Sequence, residues 1–290
     1  MNPSRFRLSL SALVLLGLAA CASAPTRPPS DTETALVVAA ERGGIEDMLS
    51  LAERYEGWND RRAVAWYERA AAATPWTFRN TAAEEALGRI HARGALYHSD
   101  SPHIDQRPAL RASPRQAERW YLAAANHGRP GAMLELAKFH RERGQAAQAL
   151  RWDLRAMVYQ RYASSGSNLP GAIAPQGGAL HPLVRDLQRR ALRGDAEAQV
   201  DLGALYEKGV GFGMERDTAQ ALQWYRKAAL QGNVFGQYFA GLLLGRAPAG
   251  VPRDVDAAAA WFAKAEKQRF FLAGESYWRK DIQPAFWTFD

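Results

Sequence analysis

Cysteine is almost missing from this chain, because Cys21 is the one cysteine among its 290 residues. No disulfide can form within the chain, so packing must stabilise the fold. Enzyme motifs are missing too: the sequence contains no glycine-rich phosphate loop, no HExxH and no G-x-S-x-G. A single thiol also argues against cysteine catalysis. We therefore expect a protein that is not an enzyme and has no catalytic residues, metal site or cofactor.

Long apolar runs are also scarce, and the main one extends from Leu8 to Ala20 behind the basic residues Arg5 and Arg7. A bilayer span needs roughly 20 apolar residues, whereas this run stops at Cys21 and prolines follow it. The layout predicts a secretory signal over residues 1–20. An ordinary signal with a chance cysteine is one interpretation of this segment.

The other interpretation rests on the stretch "LAAC" at residues 18–21, which resembles the lipobox of bacterial lipoproteins. The resemblance implies that Cys21 is acylated, and multiple acyl chains anchor a protein stably. Since Ala22 follows the cysteine, where aspartate would favour the inner membrane, it also implies the periplasmic face of a Gram-negative outer membrane. Residues 21–34, rich in proline and polar side chains, are predicted to be a flexible tether.

The formal net charge is +7, but basic and acidic residues are interspersed along the chain. This pattern favours a mixed solvated surface, so we expect no nucleic-acid partner. A polyanionic partner, such as an acidic polysaccharide or lipid headgroups, remains an open alternative.

Five segments share a tryptophan with alanine three residues before it and four residues after it, which places the three on one helical face. These tryptophans are Trp66, Trp120, Trp152, Trp224 and Trp261. Another segment precedes each of them and carries a small residue within an apolar stretch. The small residues are Ala52, Gly88, Ala137, Gly203 and Gly241. Each pair of segments predicts a helical hairpin, and a period of 35 to 40 residues is typical of an α-solenoid.

Glycine inside a helix costs about 1 kcal/mol relative to alanine, so Gly88, Gly203 and Gly241 need a structural reason. We expect each of them to leave a notch that the indole of the partner helix occupies.

Residues 194–233 resemble a Sel1-like repeat, a relative of the tetratricopeptide repeat, in Leu202-Gly203, Tyr206 and Trp224-Tyr225. The following stretch resembles a second copy, which gives Sel1-like repeats over residues 183–268. The resemblance implies an all-α fold, a right-handed α-solenoid of about five to six stacked hairpins. Residues 35–162 look more like tetratricopeptide hairpins with an insertion at 98–112, and residues 163–182 predict a mobile loop or a boundary between two sub-arrays.

Two further segments contain side chains that could form a binding site. His98, Asp100, His103 and Asp105 could surround a metal, but such mixtures are common in loops, and we expect no metal there. The aromatic tail, residues 269–290, is predicted to cap the solenoid, and the alternative is that Trp278 and Trp287 dock into a partner. His91 and His140 are predicted to be packing residues.

These features predict an outer-membrane-anchored, periplasmic scaffold that binds other envelope proteins. By analogy of fold it would assist assembly of an envelope complex, such as one for exopolysaccharide export. The alternative is a binding protein that regulates or inhibits a cell-wall enzyme or a secreted toxin. We expect the partner-binding face to carry the side chains of the first helices, namely Arg54, Arg89, Arg93, Lys138 and Arg141.

Overall fold

Twelve α-helices and a final 3₁₀ turn make up the part of the chain that the computed structural model describes, residues 31–58, 60–94, 110–159, 181–209 and 214–274. The helices are α1 (Asp31–Glu41), α2 (Ile45–Gly57), α3 (Arg62–Ala72), α4 (Phe78–Arg93), α5 (Pro114–Asn126), α6 (Pro130–Glu142), α7 (Ala146–Tyr159), α8 (Pro182–Leu192), α9 (Ala196–Lys208), α10 (Thr218–Leu230), α11 (Val234–Arg246) and α12 (Val255–Lys267). The 3₁₀ turn is Phe271–Ala273. These residues contain no β-strand, as expected of an all-α fold.

Five antiparallel pairs of neighbouring helices form the predicted hairpins: α2 with α3, α4 with α5, α6 with α7, α9 with α10, and α11 with α12. The last four helices, α9 to α12, each begin at a side chain that accepts a hydrogen bond from the backbone three residues later, which is the usual N-cap geometry. The caps are Asp195 to Ala198, Asp217 to Gln220, Asn233 to Gly236 and Asp254 to Ala257. The hairpins stack on one another, so the predicted α-solenoid is confirmed.

Side-chain contacts fix the start of two helices, and one of these helices begins earlier than the sequence suggested. Helix α1 starts at Asp31, inside the predicted tether, because Glu33 is buried and accepts a hydrogen bond of 2.9 Å from the hydroxyl of Tyr55. Helix α4 starts after Thr77, whose side chain forms a capping box with Asn80. In both cases a side-chain partner fixes the first turn.

The prediction that an indole fills each glycine notch is wrong, because the ring in the notch belongs to the residue after the tryptophan. A Cβ atom added to Gly203 would lie 2.6 Å from Cδ1 of Tyr225, and one added to Gly241 would lie 2.8 Å from Cε1 of Phe262. Gly88 faces Tyr121 in the same way. Adjacent positions on a helix are about 100° apart, so the tryptophan points to a neighbouring sector.

The tryptophans still pack, but less uniformly than predicted. Trp66, Trp152 and Trp224 are buried, whereas Trp120 and Trp261 are half-buried. In four of the five repeats a cation three residues further along lies over the indole: Arg69 over Trp66 at 4.2 Å, Arg155 over Trp152 at 5.0 Å, Lys227 over Trp224 at 3.9 Å and Lys264 over Trp261 at 4.2 Å from the ring centroid. A cation at this distance contributes about 0.5–1 kcal/mol at exposed sites.

Helix α11 is the central helix of the C-terminal half, because every residue from Phe235 to Gly245 is buried. Its sequence is apolar on all sides, which is the pattern of a fully buried helix. The ring of Phe235 lies 6.2 Å from Trp152 of α7, so the core continues across the segment that was predicted as a loop or boundary. Residues 163–180 themselves lie outside the described part.

After α12 the chain crosses back to the second hairpin. Phe270 is fully buried, and its ring centroid lies 5.0 Å from that of Tyr238. The ring also packs against Gly128, where an added Cβ would lie 3.1 Å from Cζ of Phe270. Gly128 has a φ of +93°, a conformation that residues with side chains rarely adopt. The backbone N–H of Phe271 donates to the carbonyl of His127 at 3.1 Å. The start of the predicted cap therefore packs into the core and links the last hairpin to the second one. Residues 275–290, including Trp278 and Trp287, lie outside the described part.

Candidate interaction surface

The first helices of the first three hairpins are partly open to solvent: α2 and α6 each keep one face exposed, and α4 exposes its last turn. Exposed side chains on this face are Ser50, Glu53, Ala92, Arg93, Leu134, Glu135, Lys138 and Arg141. The equivalent face of α9 and α11 is buried, since Val200 and Ala204 pack in the core and so do Tyr238 and Leu242. The open face is therefore restricted to the N-terminal half of the array. We call these eight exposed residues the open face.

The five basic residues predicted for partner binding all lie on these three helices, in different surroundings. Arg93, Lys138 and Arg141 are exposed, and Arg54 and Arg89 are half-buried. The guanidinium of Arg54 lies 5.3 Å from the ring centroid of Trp58, which is 39% exposed. Exposed tryptophan and arginine side chains are the types most often found at binding hot spots.

Arg89 is held in place by a carboxylate beneath the open face. It forms a two-point ion pair with Glu56, with Nη2 3.0 Å from Oε2, and Glu56 also accepts a 2.7 Å hydrogen bond from the hydroxyl of Tyr67. Burial raises the pKa of Tyr67, and the neighbouring charge of Glu56 raises it further, so this hydroxyl stays protonated and donates. The contact joins α2, α3 and α4 and presents the Arg89 guanidinium at a fixed position.

In the third hairpin the buried acid lies on the second helix, and the side chain that donates to it lies on the first helix. Asp153 follows Trp152 where the other hairpins carry tyrosine or phenylalanine, and Arg141 of α6 donates to it at 2.7 Å. Burial raises the pKa of Asp153, and the hydrogen bond and charge of Arg141 partly oppose that shift. Arg141 is therefore both an exposed residue of the open face and the partner of a buried acid.

An ion cluster around the buried Arg155, which was not predicted from the sequence, joins the two halves of the array. Arg155 of α7 is 1% exposed and pairs with Glu197 at 2.5 Å and Asp201 at 3.1 Å, both on α9. Burial acts to lower the pKa of Arg155, but the two carboxylates outweigh it and the pKa is raised. The signal was present in the sequence as two pairs with helical i, i+4 spacing, Arg151 with Arg155 and Glu197 with Asp201.

Several predicted residues fall outside the described part, namely Cys21, His98, Asp100, His103 and Asp105. Within the described ranges, no group of three or more histidine, cysteine or carboxylate side chains could hold a metal ion. His140 is buried and pairs with Gln145 at 2.7 Å, and His91 is half-buried against α3. No helix among these residues is both long and apolar enough to cross a membrane.

The stacked hairpins define a helical-repeat protein of the α-solenoid class, in which each repeat is one hairpin. Four segments match the family model described as Sel1 repeat, residues 51–74, 107–128, 196–233 and 234–269. These four segments are therefore similar to Sel1 repeats. The match includes both C-terminal copies and extends to parts of the first two hairpins, which the sequence had suggested are closer to tetratricopeptide units: the second half of α2 with α3, and α5. The third hairpin, α6 with α7, lies outside the matched segments.

Solved structures similar to this chain include a Sel1 repeat protein from Oxalobacter formigenes, with 22% identity, 80% of this chain and 75% of that chain covered, and a TM-score of 0.31. A putative Sel1 repeat protein from Klebsiella pneumoniae shares 19% identity over 85% of this chain and 98% of its own, with a TM-score of 0.29. An immunity protein from Pseudomonas aeruginosa shares 18% identity over 94% of this chain and 83% of its own, with a TM-score of 0.27. No curated protein matches the chain.

Proposed function

We propose that this protein is a lipid-anchored scaffold on the periplasmic face of the outer membrane, where its open face binds a protein of an envelope complex. Sel1 repeat proteins are protein–protein interaction scaffolds. The observation that carries the proposal is the contrast between the two halves of the array. Helices α2 and α6 keep a solvent-exposed face and α4 exposes its last turn, whereas the equivalent face of α9 and α11 is buried.

The chemistry of the open face suits a folded partner or a peptide with charges of both signs. Glu53, Glu135, Arg93 and Lys138 alternate in charge, and the exposed side chains of Leu134 and Trp58 supply apolar contact. A mixed polar rim around a few apolar anchors is the usual composition of a protein interface. Assembly of an exopolysaccharide export complex is the pathway that the fold and the predicted address suggest by analogy.

The anchor rests on the lipobox resemblance at Cys21. It would raise the local concentration of the open face at the membrane without any new contact, because a tethered domain meets its partner intramolecularly. Metabolic labelling with a fatty acid should mark the wild-type chain and not a Cys21→Ser variant. A labelled band in both chains, or in neither, would remove the anchor from the proposal.

The scaffold itself is tested by crosslinking in cells and affinity capture of the anchored protein. The test variant reverses two charges of the open face, Glu135→Arg and Lys138→Glu, neither of which pairs with another residue in the described contacts. The matched control reverses Arg216 and Arg253, exposed residues in the loops before α10 and α12.

We expect wild type and control to capture the same envelope protein, and the open-face variant to lose most of it. Equal capture by all three chains would contradict the open face as the binding site. Capture of an enzyme or toxin that the protein silences in a one-to-one complex would support the inhibitory alternative instead.

A further inference from the structure

The C-terminal ends of α8, α10 and α12 lie side by side along one edge of the array. Gln199 connects two of them, because it donates to the carbonyl of Ala191 at 3.2 Å and accepts from Gln231 at 2.7 Å. Gln268 then donates to the carbonyl of Gly232 at 3.0 Å. Residues 189–195, 226–233 and 264–270 therefore form one continuous surface, which we call the turn edge.

The turn edge is strongly basic. It carries eight basic side chains against two acidic ones: Arg189, Arg190, Arg193, Arg226, Lys227, Lys264, Lys267 and Arg269 against Asp195 and Glu266. Asp195 is already paired with Arg190 at 2.6 Å. The opposite edge, residues 214–217 and 247–256, has two basic and four acidic side chains. The charge of the C-terminal half is therefore separated between its two edges.

Two leucines project from the turn edge at equivalent places in successive repeats. Leu192 is the last residue of α8 and is 74% exposed, and Leu230 is the last residue of α10 and is 76% exposed. A glycine with positive φ follows two residues after each of them, Gly194 and Gly232. Single exposed leucines are common on protein surfaces, but these two sit on neighbouring, hydrogen-bonded turns among cations.

Helix dipoles account for part of this pattern, since cations stabilise helix C-termini and anions stabilise N-termini. They do not account for the leucines, which gain nothing from a dipole. Nor do they require Arg269, which follows α12 with φ of +63°, the left-handed region that the two earlier turns fill with glycine. The combination of exposed leucines with basic side chains is the composition of a surface that contacts anionic lipid.

We propose that the turn edge lies on an anionic phospholipid surface, with Leu192 and Leu230 entering the headgroup region and the surrounding cations contacting phosphate groups. Under the proposed function, nine residues lie between Cys21 and the first residue of α1, and this link reaches at most about 35 Å. The array then stays close to the bilayer, and the turn edge fixes which side faces it. The open face would be left for a protein partner.

The test uses the proposed mature chain from residue 22 onward, which lacks both the apolar run and the acylation site, so its result does not depend on the anchor. The probes are vesicles of phosphatidylethanolamine with phosphatidylglycerol, and vesicles of phosphatidylcholine alone, in a sedimentation assay. One variant carries Arg193→Glu, Lys267→Glu and Arg269→Glu, and another carries Leu192→Gln and Leu230→Gln. The control carries Arg115→Glu, Arg216→Glu and Arg253→Glu, exposed residues at the N-terminal ends of second helices.

We expect binding to the anionic vesicles only, weakened by salt. The charge variant should lower the partition coefficient by roughly a hundredfold or more and the leucine variant by roughly tenfold, whereas the control should resemble wild type. Circular dichroism checks that each variant is folded. No binding by wild type, or equal loss in variant and control, would overturn the proposal. So would tight binding to soluble alginate together with vesicle binding that ignores the leucine variant, since that result identifies a polysaccharide site.

Discussion

Replacing Gly203 with alanine should destabilise the fold although alanine is the better helix former. The new Cβ would lie 2.6 Å from both Cδ1 and Cε1 of Tyr225. The ring cannot swing aside, because it is fully buried and its hydroxyl donates a 2.9 Å hydrogen bond to Glu207. Overpacking of this kind costs about 1–3 kcal/mol, and removing a helical glycine returns about 1 kcal/mol. We expect a net loss of up to about 2 kcal/mol.

The assay is urea denaturation followed by far-UV circular dichroism, with Gly57→Ala as the matched control. Gly57 is the last residue of α2, and no atom lies within 4 Å of its would-be Cβ, so that substitution should stabilise the protein by about 0.5–1 kcal/mol. In a Tyr225→Leu background the cost of Gly203→Ala should shrink, because the smaller side chain frees space. If Gly203→Ala were stabilising to the same extent as Gly57→Ala, the notch explanation of these glycines would be refuted.

Three further outcomes are expected. Arg155→Met should cost about 1.5–3 kcal/mol in denaturation experiments, because Glu197 and Asp201 lose their buried partner but keep Arg151; a loss near zero would show that the cluster is not coupled. Burial raises the pKa of Glu197, but the charge and hydrogen bond of Arg155 outweigh it and hold the pKa below its ordinary value. Glu197 therefore adds stability that is complete above its unfolded-state pKa and is lost as pH falls through the lower folded-state pKa, so Glu197→Gln should flatten the stability curve in that acidic range. Phe270→Ala should cost about 3–5 kcal/mol and speed amide exchange around His127 in the second hairpin, whereas a purely local cap would leave that turn protected.

The repeat pattern in the sequence was sufficient for the helices, the hairpins and the solenoid. Alanine at fixed spacing around each tryptophan identified the second helices, and the small residues identified the first helices. The sequence pattern did not identify which ring enters each notch. Trp224 and Tyr225 are adjacent, and only the rotation of α10 against α9 decides that Tyr225 faces Gly203.

The sequence predicted only part of the candidate binding face, because its side-chain contacts also depend on how the helices pack. All five basic residues lie on the first helices, where the pattern placed them, but Arg89 and Arg141 are also engaged with the buried acids Glu56 and Asp153. Those acids come from positions 33 and 12 residues away in the chain. A contact of that kind depends on which helices become neighbours.

By itself, the sequence determined the local structure: helical period, capping residues, turn glycines and the stacking of one hairpin on the next. These depend on interactions between residues close in the chain. Tertiary structure alone decided that the chain after α12 returns to the second hairpin, with Phe270 against Gly128, and that α11 is enclosed while α2, α6 and the last turn of α4 stay open. The physical reason is that small differences in packing angle add up along successive hairpins, and only their sum brings residues more than a hundred positions apart into contact.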